Sequence, residues 1–105
     1  MISQNKESFS NTGLKPILID EICKIAKFHN LKYVILFGSR ARGDFKERSD
    51  IDLAVSGGNI TRFIFDIDEN TSTLLKYDII NLDGAVQPEL LESIKKEGVF
   101  IYEKI

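Results

Sequence analysis

The residues best suited to chemistry are Gly38-Ser39 and, ten positions further on, Asp50-Ile51-Asp52. Glycine and serine directly after the apolar run Tyr33–Phe37 put free backbone N–H groups at the start of a turn. Such a turn attracts anions, because the N–H groups and the local dipole both favour negative charge. The Ser39 hydroxyl adds a donor, and Gly38, without a Cβ, lets a phosphate approach the backbone closely. This is not a P-loop, since the pattern Gly-x-x-x-x-Gly-Lys-Ser/Thr is missing. Asp50 and Asp52 are two apart on a predicted strand, so their carboxylates project the same way with Cα atoms roughly 6.5–7 Å apart. Like charges this close repel, and divalent cations relieve the repulsion. Carboxylate oxygens suit Mg²⁺, whose octahedron is completed by substrate phosphates and water. Two such ions about 3.5–4 Å apart can clamp the attacking and leaving oxygens of an in-line phosphoryl-type transfer. Asp78 is the best third carboxylate, because it opens a strand that can lie beside the second one and shares parity with Ile80 and Leu82. Asp83 and Asp44, in turns, are weaker candidates. Arg40 and Arg42 are candidate phosphate ligands, although two residues apart in a helical turn they face different ways.

Positioning these groups requires a sheet. The run Tyr33–Phe37 is almost wholly apolar, which predicts a strand buried on both faces. Residues 40–43 then form one helical turn, and a charged loop, expected to be mobile, runs from Asp44 to Arg48. Residues 49–55 read as a second strand, with Asp50 and Asp52 on one face and Ile51, Leu53 and Val55 on the other. The link between these two strands is too short for a crossover helix, so they are expected to be antiparallel. Further strands are expected over 77–82 and 99–102. Helices are predicted over 15–29, from a cap at Asn59 to Asn70, and from Pro88 to a terminating glycine at Gly98. The alternation implies an α/β (α+β) fold, a mixed sheet of about four strands with helices packed on it. Residues 1–13 are polar and read as a flexible lead-in, with a single domain over 14–105.

Composition narrows the function classes. Apolar residues make up 43% and charged residues 29%, the balance of an ordinary globular protein rather than a disordered chain. The net charge of -2 argues against a basic protein that coats nucleic acid. No stretch approaches the roughly 18–20 apolar residues of a membrane span, and no apolar run marks a signal peptide. Cys23 is the single cysteine, which suits a reducing, cytoplasmic compartment. With one cysteine and one histidine, His29, a structural zinc site is not expected. Phe45 stands out in its charged loop, where it could pack underneath, stack on a base or meet a partner.

The joint pattern Gly38-Ser39, ten residues, Asp50-x-Asp52 resembles the signature of the DNA polymerase β-like nucleotidyltransferase superfamily. The fuller stretch from Gly38 to Leu53 is similar to its minimal nucleotidyltransferase (MNT) branch, as are residues 76–83 and 97–103. The likeness runs from about Lys15 to Ile105. It implies a polymerase β palm-like fold and transfer of a nucleoside monophosphate from an NTP, with ATP as the donor, to a hydroxyl. It implies that Gly38 and Ser39 grip the triphosphate and that Asp50 and Asp52 hold two Mg²⁺ ions. Asp78 would bind the catalytic ion and help deprotonate the attacking hydroxyl. MNT proteins are commonly encoded beside a helical HEPN-type protein, a toxin that they adenylylate on tyrosine. The resemblance therefore implies an antitoxin that forms an oligomer with such a partner. Two other readings stay open: a module that neutralises its partner by occlusion, and a small-molecule transferase of the antibiotic-modifying kind. The latter usually has a second domain to shape its substrate pocket. The short chain leaves little to cradle an acceptor, so a partner is expected to supply that part.

Overall fold

A computed structural model of the chain describes residues 6–105. After a 3-10 segment, Lys6–Thr12, the order is α1 (Pro16–Phe28), β1 (Tyr33–Phe37), α2 (Ser39–Arg42), β2 (Ile51–Ser56), α3 (Ile60–Asn70), β3 (Tyr77–Asn81), α4 (Pro88–Glu97) and β4 (Val99–Glu103). The four strands form one mixed sheet in the order β3-β2-β1-β4. As the short link requires, β1 runs antiparallel to β2, and it also pairs antiparallel with β4. The long connection through α3 lets β3 return parallel to β2.

The alternation along each strand divides the core between the two sheet faces. Val34 and Leu36 of β1 with Ile51, Leu53 and Val55 of β2 form one face, covered by Leu18, Ile19, Ile22 and Ala26 of α1 and Ile60, Phe63 and Ile67 of α3. These helical residues recur at three- and four-residue spacing, which puts each set on one side of its helix. Pro16 occupies the first turn of α1, where a missing N–H is harmless. Asn59 caps α3, its side chain accepting from the Arg62 N–H at 3.2 Å. The other face carries Ile35, Phe37 and Ala54, with Ile80 and Leu82, against Leu90 and Ile94 of α4. This helix leaves one end of its face uncovered. Asp52, two residues before Ala54, and Asp78, two before Ile80, continue the same rows into that open end.

Several expectations change. Within the expected flexible lead-in, residues 6–12 form the 3-10 segment, and Phe9 and Thr12 are buried against the core side of the fold. Residues 1–5 of that lead-in lie outside the described residues. Asp50 is not in β2 but immediately precedes it. Gly98 does end α4, though not through a left-handed turn: its φ is -68°, and its N–H donates to Ile94 O at 2.8 Å. Glycine is required there for space, because a Cβ would stand 2.4 Å from Ile94 O and 2.6 Å from Ile35 Cγ2. No described helix is long and apolar enough to cross a membrane.

Because the Gly98 backbone is unstrained, Gly98→Ala is a purely steric probe of the contact between α4 and β1. It is expected to destabilise the chain by about 1–3 kcal/mol, as overpacked cores do. In a domain of this size that lowers Tm by roughly 5–15 °C, measurable by thermal unfolding.

Candidate active site

The site is assembled at the open end of the sheet. In β2 and β3, Asp52 and Asp78 are direct register partners on adjacent parallel strands. Strand neighbours are about 4.8 Å apart, so the two carboxylates project side by side from one face. On the opposite flank, Asp52 pairs with Phe37, the last residue of β1, and the chain then turns at Gly38. Gly38 has φ +77°, a conformation side chains rarely adopt, and a Cβ there would lie 2.2 Å from Asp52 Oδ2. The glycine therefore does two things: it makes the turn into α2, and it leaves the room that the Asp52 carboxylate occupies. The first helical-turn hydrogen bond of α2 is Arg42 N–H to Gly38 O, 3.1 Å. The N–H groups of residues 39–41 precede it and have no acceptor within the turn. Ser39 is half-buried beside them.

Asp50 reaches the same end from the loop before β2. Its position is held on the C-terminal side by Ile51 N–H donating to Lys76 O at 2.8 Å. The electrostatics bind the three carboxylates into one group. The Asp52 carboxyl is pushed above the usual carboxylate range, first by burial, then by Asp78 and Asp50; Arg42 opposes the shift. Among the described residues, no three His, Cys, Asp or Glu side chains converge as a ready-made metal cage. The aspartates instead line an edge. Their hard oxygen donors and the charge that Asp50 and Asp78 place beside the part-buried Asp52 fit Mg²⁺ ions that take their remaining ligands from phosphate and water.

The two arginines separate. Arg42 is exposed, bonded to Asp44 (3.2 Å) and Glu97 (3.0 Å), and its charge is felt at Asp52, so it remains a candidate phosphate contact. Arg40 does not: it is 2% exposed and points away from the open edge, its guanidinium committed to backbone carbonyls. Helical geometry explains the split, since residues two apart in a turn cannot share a face. Phe45 packs beneath the loop, with the Arg40 guanidinium carbon 4.7 Å from its ring centroid. Of the weaker acidic candidates, Asp83 accepts from Ser56 Oγ and Gly57 N–H beyond the far end of β2, and Asp44 is engaged by Arg42. Beside Asp50 lies a cleft of ≈ 670 Å³ lined by Glu47, Arg48, Leu74, Leu75 and Lys76. Lys76 was not among the sequence candidates; nothing in its local pattern distinguishes it from a surface lysine. His29 makes a 2.8 Å contact with Asp66 between α1 and α3, remote from these groups and structural in role.

A family model described as polymerase beta, nucleotidyltransferase matches residues 20–105. The chain belongs to the polymerase β nucleotidyltransferase family. A candidate protein adenylyltransferase of Methanocaldococcus jannaschii is 44% identical over 61 residues. That match spans 58% of this chain and 58% of the relative, less than two thirds of its length. A solved toxin–antitoxin structure with AMP-PNP superposes with a TM-score of 0.64 at 22% identity, covering 82% of this chain and 73% of that one. At that identity the likeness is one of fold. A candidate minimal nucleotidyltransferase gives a TM-score of 0.60 at 26% identity over 77% of this nucleotidyltransferase-family chain and 86% of its own.

The burial of Asp52, together with the nearby charges of Asp78 and Asp50, sets a testable sign. A carboxyl whose folded pKa is raised favours folding most when protonated, and that contribution is lost as pH rises through the raised value. At neutral pH in chelator, Asp52→Asn is therefore expected to raise Tm, measured by thermal unfolding. Adding Mg²⁺ and a nucleotide should stabilise the wild type and leave the variant unchanged. Gly38→Ala, which drives a methyl into the Asp52 carboxylate, is expected to lower turnover by about 100-fold, the scale of a misplacement near 1 Å.

Proposed function

We propose that the chain transfers AMP from ATP to a hydroxyl of a partner protein, the tyrosine of a HEPN-type toxin, and so acts as an antitoxin. The observation that carries the transferase chemistry is the register pairing of Asp52 with Asp78 beside the cleared turn at Gly38. The names of two similar proteins support the choice of acceptor class and setting: one is a candidate protein adenylyltransferase, the other a toxin–antitoxin holding an ATP analogue.

In this reading the turn at Gly38-Ser39 offers backbone N–H groups and a hydroxyl to the β- and γ-phosphates. Arg42, on the rim, adds positive charge. Asp50 and Asp52 would hold the divalent ions, with Asp78 as a third carboxylate ligand. Two bound Mg²⁺ ions would supply Lewis-acid stabilisation of the charge that develops on the attacking and leaving oxygens. Asp78 sits at the edge of the trio and accepts the proton of the incoming hydroxyl. The hydroxyl oxygen bonds to the α-phosphorus as the bond from that phosphorus to the α,β-bridging oxygen breaks, and pyrophosphate leaves. The cleft beside Asp50, with Arg48 and Lys76 on its wall, leaves an approach for a macromolecular acceptor.

The test is incubation of the chain with Mg²⁺, α-labelled ATP and the protein encoded beside it. Covalent label on a tyrosine of that protein is expected, falling by about 100–1,000-fold in Asp52→Asn and Asp78→Asn, a loss on the scale of removing one key stabilising group. Absence of label with folded wild-type protein, or label that persists in Asp52→Asn, overturns the reading.

A further inference from the structure

Arg40 is the most unusual residue outside the carboxylate trio. It carries a charge, yet it is 2% exposed. Burial depresses the guanidinium pKa, as expected of a desolvated cation. Its donors go to three backbone carbonyls in two separate segments. Nη1 donates to Thr12 O at 2.7 Å, Nε to Ser49 O at 3.1 Å and Nη2 to Glu47 O at 3.1 Å. Phe45 lies across the guanidinium face. Gly13 closes the packing: a Cβ there would stand 2.6 Å from the Phe45 ring and 2.8 Å from Arg40 Nη1. The acceptor on the N-terminal side is itself preset, because Thr12 Oγ1 donates to Phe9 O at 2.6 Å and accepts from Leu14 N–H at 3.2 Å.

Packing alone does not ask for this residue, since an apolar side chain of similar volume usually fills such a space without the desolvation penalty. What a guanidinium adds is a rigid fork that orients several acceptors at once, which a lysine cannot reproduce. One of those acceptors, Ser49 O, belongs to the peptide that joins Ser49 to Asp50. The backbone of Asp50 is thus held from both sides: by Arg40 through the Ser49 carbonyl, and by Lys76 O through the Ile51 N–H. The loop has few other anchors, with Lys46, Glu47 and Arg48 exposed. The loop expected to be mobile is therefore tied down where it leads into the site.

We propose that Arg40 is a positioning residue that locks the 44–49 loop to the N-terminal 3-10 segment and thereby fixes Asp50 relative to Asp52. Its acceptor Thr12, and Gly13, whose missing Cβ leaves room for the guanidinium, lie before the family-matched residues 20–105, so this chain's own N-terminal segment completes the support of the site. The consequence for turnover rests on the transferase reading above; the consequence for the loop does not.

Arg40→Lys and Gly13→Ala disturb the same junction from opposite sides and are tested together in the full chain. Ser49 N–H bonds Lys46 O at 3.0 Å and Lys46 N–H bonds Ser49 Oγ at 2.8 Å, so these two amides report the loop. In both variants their hydrogen exchange is expected to accelerate at least about tenfold while the central β1 amides of Leu36 and Val34 keep wild-type protection. The kcat for nucleotidyl transfer is expected to fall about 10–100-fold with a smaller change in KM for ATP, and the double variant to be no worse than the poorer single one. Unchanged exchange at Lys46 and Ser49, or acceleration shared equally by β1, overturns the proposal, the latter by showing general destabilisation. Faster loop exchange with wild-type kcat also overturns it. A wild-type chain that transfers no nucleotide contradicts the reading of the previous subsection, and the exchange arm then decides alone whether Arg40 holds the loop of Asp50.

Discussion

The burial of Asp52 beside two further carboxylates is the constraint on which the candidate site depends. Asp52 cannot escape it. It is held in β2 by main-chain pairing on both sides, with Asp78 in register on one flank and Phe37 on the other. Burial first, then the charges of Asp78 and Asp50, push the Asp52 carboxyl upward. A protein selected for stability alone would place an amide or an apolar residue there. On the proposed transferase reading, cations brought in with a nucleotide would offset this charge, so stability given up in the free chain would be returned on binding.

Everything nearby serves that trio. The antiparallel β1–β2 pair brings the turn after Phe37 against Asp52, and Gly38 has no side chain to obstruct it. The crossover through α3 lays β3 parallel to β2, which is what sets Asp78 beside Asp52 rather than at the far end of the sheet. On this face α4 covers Ile35, Ala54 and Ile80 with Ile94 and stops short of the aspartates. One surface is therefore core at one end and site at the other.

The strand-forming runs, the period of the helices and the spacing from Gly38 to Asp52 were legible in the sequence because each depends on local chemistry. The antiparallel pairing followed from loop length alone. Arg40 was not legible. Its neighbours in sequence are the Gly38-Ser39 turn and a second arginine, and only the tertiary position of Thr12, Glu47 and Ser49 turns it inward. The ordered 3-10 segment is not legible for the same reason: all its residues but Phe9 are polar, and Phe9 and Thr12 are buried by contacts that composition does not reveal. Gly98 was read correctly as a stop, but its backbone is ordinary, and the space it spares for Ile35 is visible only in the packed sheet. At the site, Asp50 proved to be a loop residue held from both ends, a position that alternation along a strand could not express.

The central claim is that Asp50, Asp52 and Asp78 act as one cation-binding unit around a nucleotide. Counting Mn²⁺ bound per chain by paramagnetic resonance, in the presence of a non-hydrolysable ATP analogue, tests it most directly. The expected result is two ions bound per chain with the analogue in the wild type, one in Asp78→Asn and none held by protein in Asp52→Asn. An unchanged ion count in Asp52→Asn would contradict the account.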